Sequence, residues 1–272
     1  MGTNTIKLQF ASGEEDFSEG LAMSKAARLG EGADTNLHPD SMQRAMEALE
    51  IYNEEIKRRG ADTVRLYATA ATREAENGRD FLDRIAERFG WQCQVLSGEE
   101  EARLGFTGAG LGISSKLTLV DIGGGSTEIS SGERTPDVSK SFPVGALKQT
   151  KEPRDLSKIF IDLPEKKGEL VGIGGTLRML AAIRNGVTEY KRKDLHGAVI
   201  ERQWLRELQE QVKTLSLEGK RELCAMEPER ADILEAGIEI LSHLMDIYEA
   251  PRLTYSDYGM IEGFALRSWG RA

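Results

Sequence analysis

Apolar and polar residues alternate over residues 5–11 (TIKLQFA), a period of two that predicts a strand, and a polar stretch containing glycine follows to about Pro39. From Asp40 the period changes. Met42, Ala45, Met46, Leu49, Tyr52 and Ile56 recur at helical spacing, with Asp40 or Ser41 available as cap and Gly60 as stop, which predicts a helix over residues 40–60. A short apolar run at 64–68 reads as a buried strand. Helix resumes near Ala70, breaks at Asn77-Gly78 and continues to Gly90, and a strand follows at 92–96. The alternation goes on with a helix at 97–105 and strands at 116–122, 127–131 and 169–173, the pattern of an α/β sheet protein. Long amphipathic helices at 201–217 and 230–248 then change the texture before a last strand at 252–256. Glycine and serine interrupt the pattern at 110–115, which divides the chain into a first domain of residues 1–113 and a second of 114–272. No internal repeat or low-complexity tract is present.

Composition narrows the partners. The chain has 272 residues, 39% apolar and 30% charged, enough for one large or two medium globular domains. Its 36 basic and 45 acidic residues give a net charge of −9. That balance argues against nucleic acid as a partner, and means that a polyanionic ligand would need a local basic patch or metal ions. Cys93 and Cys224 have neither metal-ligand spacing nor a disulfide framework and are expected to pack. His38, His196 and His243 are scattered and carry no role. No apolar run approaches the roughly 20 residues that span a bilayer and no secretory signal is evident, so the expectation is a cytoplasmic protein with no membrane partner.

The segment Asp121-Ile122-Gly123-Gly124-Gly125-Ser126-Thr127-Glu128 joins two strands through three glycines. Glycine permits positive φ and close approach, so the amides of such a turn can converge on phosphate oxygens, with Ser126 and Thr127 as hydroxyl donors. Asp121 and Glu128 could hold magnesium beside that phosphate. A plain hairpin explains the glycines as well. The segment is neither a dinucleotide fingerprint nor a P-loop. Gly2-Thr3-Asn4-Thr5 and Gly174-Gly175-Thr176 pair glycine with hydroxyls in the same way, the second at a predicted helix N-terminus that would favour an anion. In Ser97-Gly98-Glu99-Glu100-Glu101, Ser97 and Glu100 match a capping box; Glu101 lies beyond it, and facing a cleft it could act as a general base. Arg73, in the turn Thr69-Ala70-Ala71-Thr72-Arg73, could make two hydrogen bonds to phosphate or an ordinary surface ion pair.

These motifs, with Asn77-Gly78 and Arg230-Ala231-Asp232-Ile233-Leu234, occur in the order found in the exopolyphosphatase/guanosine pentaphosphatase (Ppx/GppA) phosphatases, which the chain resembles over nearly its whole length. The resemblance implies an α/β fold of two ribonuclease-H-like domains, of the actin-like superfamily, flanking a cleft. It makes Glu101 the catalytic base and Arg73 a phosphate ligand. Gly2, Thr3, Asn4, Thr5, Gly123, Gly124, Gly125, Ser126, Thr127, Gly174, Gly175 and Thr176 become phosphate-binding, and Asp121 and Glu128 the metal site. It also implies Mg2+ as cofactor, with another divalent ion or a monovalent ion such as K+ as alternatives, and a homodimer acting on polyphosphate or guanosine penta- or tetraphosphate in the stringent response. The expected reaction is hydrolysis of terminal phosphoanhydride bonds, converting pppGpp to ppGpp or releasing orthophosphate from polyphosphate. A non-catalytic alarmone-binding regulator and an actin-like ATPase or kinase are the alternatives.

Three departures accompany the resemblance. Family members carry a hydrophobic strand and an aspartate two residues before the glycine equivalent to Gly2, whereas Met1 stands between, so the natural chain is expected to begin upstream. The stretch between Val144 and Gly172 is shortened, which would alter a channel for long chains. Ile261-Glu262-Gly263 replaces the usual Arg-Glu-Gly, and no helical HD-type extension follows.

Overall fold

The computed structural model describes residues 1–2, 5–11, 23–31 and 35–269. Thr3 and Asn4, two of the candidate phosphate ligands, lie outside the described residues. The chain separates into two compact units, Met1–Glu101 and Ala102–Ala272, divided within one helix.

In the first unit, β1 (Thr5–Leu8) pairs antiparallel with β2 (Met23–Ala26), a strand that its short polar sequence does not announce. α1 (Pro39–Arg59) follows. Its N-cap is His38 rather than Asp40 or Ser41. Proline at the first helical position sets a helical φ and lacks the amide that would need a partner, so the helix starts one residue earlier, and the His38 ring accepts the Asp40 amide at 3.3 Å. Gly60 closes α1 as expected, in the left-handed region at φ 69°. β3 (Arg65–Ala68), α2 (Ala70–Glu74), α3 (Gly78–Phe89) and β4 (Gln92–Val95) complete the unit, with β3 and β4 parallel. Leu49, Tyr52 and Ile56 of α1 pack on Phe81, Leu82 and Ile85 of α3. The buried Tyr52 hydroxyl donates to the Ile6 carbonyl at 2.8 Å, and burial pushes its phenol up to about 12.

α4 (Gly98–Ala109) leads into the second unit. Its strands are β5 (Lys116–Ile122), β6 (Thr127–Glu133), β7 (Thr135–Phe142), β8 (Glu169–Ile173), β9 (Val199–Glu201) and β10 (Arg252–Tyr255), in the order β7-β6-β5-β8-β10-β9. The first three form an antiparallel meander. β8 runs parallel to β5, β10 parallel to β8, and β9 is added antiparallel at the edge. A meander followed by parallel strands beside its first member is the ribonuclease-H-like arrangement. β7 escapes the sequence pattern because its partly buried positions, Pro136, Val138 and Lys140, make no continuous apolar row.

The helices are α5 (Ala146–Lys151), α6 (Leu156–Ile159), α7 (Gly174–Asn185), α8 (Arg192–Leu195), α9 (Arg202–Thr214), α10 (Leu217–Leu223), α11 (Leu234–Ile247) and α12 (Met260–Ser268). The helix expected at 201–217 ends early because Leu215 turns extended and Ser216 caps a new helix, its hydroxyl taking the Gly219 amide at 3.2 Å. Val120 and Ile122 face Leu177, Leu180 and Leu241 on one side of the sheet, whereas Leu117, Leu119 and Val171 face Phe106 and Ala109 of α4 on the other. Among the described residues no helix is long and apolar enough to cross a membrane, and both cysteines are free. Burial pushes the Cys224 thiol up to about 11, in keeping with a packing role.

α4 and α12 meet through glycine. A Cβ on Gly108 would come within 1.8 Å of the Gly259 carbonyl oxygen, and one on Gly263 within 2.0 Å of the Leu104 oxygen. The start of α12 is tied further by Glu262, which accepts the Gly259 amide at 2.8 Å and pairs with Arg192 at 2.9 Å, while Arg192 also pairs with Asp257 at 3.0 Å. Burial would lower the Arg192 pKa, but Glu262 and Asp257 raise it above its usual value. Gly108→Ala is therefore expected to invert the usual effect of the substitution in a helix, where alanine gains about 1 kcal/mol. Urea denaturation should show a loss of about 1–3 kcal/mol, as overpacking of a close contact does.

Candidate functional site

The first unit brings Arg73 and Glu101 together. Arg73 lies in the last turn of α2, not in a loop, and its Nη1 donates to the Leu96 carbonyl at 2.7 Å and to the Glu101 carboxylate. Both side chains are partly exposed, at 31% and 25%. The position of Arg73 follows from Asn77-Gly78 downstream. The Asn77 amide exchanges hydrogen bonds with both backbone groups of Leu37, at 2.8 and 3.1 Å, and Gly78 lies so close to the preceding turn that a Cβ would stand 1.9 Å from the Thr72 oxygen. The residues that break the helix in the sequence thus anchor the turn that carries Arg73.

Glu100 and Glu101 divide the work that the sequence leaves open. The Ser97 amide donates to Glu100 at 3.0 Å and the Glu100 amide to the Ser97 hydroxyl at 3.1 Å, a reciprocal capping box. Glu101 takes no part in it and turns to Arg73. Near the same place the Met1 ammonium donates to the Tyr67 carbonyl at 2.5 Å, the Thr69 amide donates to the Met1 carbonyl at 3.2 Å, and the Gly2 amide donates to the Thr5 carbonyl at 2.9 Å.

In the second unit β5 and β6 pair so that Asp121 stands opposite Glu128 and Ile122 opposite Thr127. Directly opposed residues of an antiparallel pair project to the same face, so both side chains leave one face at the mouth of the hairpin. The Ser141 hydroxyl donates to Glu128 at 2.8 Å. Asp121 also meets the N-terminus of α7: a Cβ on Gly174, which sits at φ +87°, would lie 2.2 Å from its Oδ1. The helix dipole favours a carboxylate there. Among the described residues no group of three or more acidic, histidine or cysteine side chains could enclose a metal. Two carboxylates on one face could nevertheless hold magnesium, which commonly keeps water and takes substrate phosphate oxygens to complete its octahedron.

The turn itself is a tight hairpin in which the Gly123 amide donates to the Ser126 carbonyl at 2.9 Å. None of Gly123, Gly124 and Gly125 has a left-handed φ, which corrects the expectation that positive φ explains them. Thr127 is fully buried and its hydroxyl donates to the Val144 carbonyl at 2.7 Å, so it faces inward as a support of the turn. Thr176 is buried too, its methyl packed where Gly237 of α11 lacks a side chain.

A basic cluster that received no role in the sequence adjoins Gly175. The Arg230 guanidinium lies where a Gly175 Cβ would be, with Nη2 at 2.5 Å from that position, and pairs with Glu227 at 2.7 Å. Glu227 also takes Arg178. Burial works against the Arg178 charge, but Glu227 overrides it and holds the pKa above its usual value. The three-residue spacing of Glu227 and Arg230 was the available signal. A polar groove of about 370 Å³, lined by Arg154, Gln209, Glu239, His243 and Asp246 among others, shares none of the candidate residues.

Comparison with known proteins bears on the family and the fold. The sequence model of the Ppx/GppA phosphatase family matches residues 21–272. Exopolyphosphatase 2 of Mycobacterium tuberculosis is 28% identical over 308 aligned residues, covering 97% of this chain and 95% of the relative. The crystal structure of the Aquifex aeolicus Ppx/GppA phosphatase, type II variant, superposes with a TM-score of 0.84 at 25% identity, covering 98% and 96% of the two chains. An exopolyphosphatase from Cytophaga hutchinsonii, 20% identical with a TM-score of 0.76 over 99% and 96% of the chains, shares the fold.

The separation of Glu100 from Glu101 can be tested on stability alone. Ser97→Ala removes a helix cap and is expected to lower the unfolding free energy by about 1 kcal/mol. Glu101→Gln, which keeps an acceptor for Arg73, should stay within about 0.5 kcal/mol of the wild type in the same denaturant titration.

Proposed function

The chain belongs to the Ppx/GppA phosphatase family, and on that premise we propose that it hydrolyses terminal phosphoanhydride bonds, releasing orthophosphate from inorganic polyphosphate and/or converting pppGpp to ppGpp. The observation that carries the reading is the state of Glu101: relieved of capping by Glu100, its carboxylate is held by Arg73.

In this reading the Arg73 guanidinium binds oxygens of the terminal phosphate in place of Glu101, and the released carboxylate accepts a proton from the attacking water. The water oxygen bonds to phosphorus, the bridging P–O bond breaks, and its electron pair leaves with the shortened chain. Orthophosphate departs as the second product. Such a transfer asks mainly for positioning and for neutralisation of the phosphate charge. The amides of the exposed Gly124 and Gly125 and the Ser126 hydroxyl supply donors to phosphate oxygens. Asp121 and Glu128 would hold Mg2+, which when bound neutralises phosphate charge, as a chain of net charge −9 requires of a polyanion's site.

Orthophosphate release from short polyphosphate, long polyphosphate and pppGpp, measured side by side with magnesium, tests the proposal. The wild type is expected to turn over at least one of them, and Glu101→Gln to reduce kcat by about 10²–10⁴-fold. Asp121→Asn should raise the magnesium concentration needed for half-maximal rate. A wild type that releases no more phosphate than Glu101→Gln from any of the three would end the proposal, and transfer to an acceptor other than water would replace it with a kinase.

A further inference from the structure

Nothing in the sequence marks the six-residue helix α5 or the Gly145 that precedes it. Yet α5 makes the contacts that orient the glycine turn. The Ala146 amide donates to the Gly123 carbonyl and the Lys148 amide to the Gly124 carbonyl, each at 2.9 Å. Gly145 is buried and lies flat against the turn: a Cβ there would be 2.5 Å from the Gly123 oxygen and 2.6 Å from the Gly124 carbonyl carbon.

Peptide planarity turns these two contacts into a direction. In a trans peptide the C=O of one residue and the N–H of the next point opposite ways. With the Gly123 and Gly124 carbonyls drawn onto α5, the N–H groups of Gly124 and Gly125 must point away from it. Both residues are exposed, and neither amide donates to another described residue. Three successive glycines would otherwise sample many backbone conformations.

α5 is itself seated in the core of the unit. The Gln149 side chain, 2% exposed, donates to the Arg154 carbonyl at 3.0 Å and to Glu239 of α11 at 3.2 Å, and accepts the Arg154 amide at 3.1 Å. The Thr127 hydroxyl holds the Val144 carbonyl just before Gly145. The turn is thus clamped by its second strand and by α5 together.

We propose that Gly145 and the Ala146 amide are positioning groups that pre-set the Gly124 and Gly125 amides as phosphate donors. The proposal rests on the reading of the 123–126 turn as a phosphate holder. Donors fixed before the ligand arrives need no reorganisation when it binds, which is how a short glycine turn can hold a phosphate tightly.

Ala146→Pro tests it with little risk to folding. Proline suits the first position of a helix, and Gly145, at φ −143° and ψ 172°, has the extended conformation that a residue before proline adopts. The substitution removes the bond to Gly123 and places a ring carbon against its oxygen. Gly145→Ala, which intrudes on the same carbonyl, is the second variant. Pyrophosphate is titrated into 15N-labelled protein while the Gly124 and Gly125 amide signals are followed, and polyphosphate kinetics are measured on the same samples. In the wild type both amides should shift on saturation. In Ala146→Pro the pyrophosphate dissociation constant and the KM for short polyphosphate should rise by about tenfold or more. The pH profile of kcat/KM should keep its shape, and the melting temperature should stay within about 3 °C. Wild-type affinity and KM in both variants would overturn the proposal, and so would amides that do not respond to pyrophosphate in an enzyme that hydrolyses polyphosphate. Amides that respond in a protein releasing no orthophosphate would support the proposal while the hydrolytic reading fails.

Discussion

The register of β5 against β6 is the constraint on which the second unit depends. Because side chains alternate along a strand, Val120 opposite Ile129 fills the core on one face only if Asp121 opposite Glu128 lies on the other. A slip of one residue would set Asp121 opposite Ile129 or Thr127 and separate the two acids. The core therefore enforces the pairing of the two acids, with no need for the acids themselves to specify it. The parallel neighbour β8 extends the same logic: Asp121 stands beside Ile173, and the chain turns there into α7, so the helix N-terminus arrives at the Asp121 carboxylate.

Close backbone approach is the second theme. At Gly108 and Gly263, at Gly145 and at Gly175, an added Cβ would fall within 3 Å of a carbonyl or a guanidinium. Each of these contacts brings a polar group or a helix backbone nearer than any side chain would permit. Together they bear on the placement of three elements: α4, the 123–126 turn and the first turn of α7. Packing of this kind is directional in a way that apolar burial is not, since a carbonyl must fit the space left by the missing side chain.

Charge is distributed with comparable economy. Although the chain carries an excess of acid, its most deeply buried ionic set is paired, Arg192 with Asp257 and Glu262, and the partly exposed Arg178 and Arg230 share Glu227. Removing either arginine partner from such a set would leave an uncompensated charge in a medium of low dielectric. Arg73 and Glu101 differ from the Arg192 set, since both remain partly exposed and their pairing can be exchanged for a ligand at modest cost.

The sequence by itself determined the features that depend on neighbours along the chain. The period of α1 and its stop at Gly60, the strands at Lys116–Ile122 and Glu169–Ile173, the capping box at Ser97 and Glu100 and the order of the glycine motifs are all local, and local propensity and pattern suffice for them. What joins Arg73 to Glu101, 28 positions apart, or Glu128 to Ser141 and Gly145 to Gly123, was decided only by tertiary structure. Their partners are selected by strand register and by backbone contact, neither of which leaves a periodic trace. The same reason hid β7 and shifted the cap of α1: an edge strand without an apolar row has no pattern to read, and a cap is chosen by the geometry of the proline that follows it.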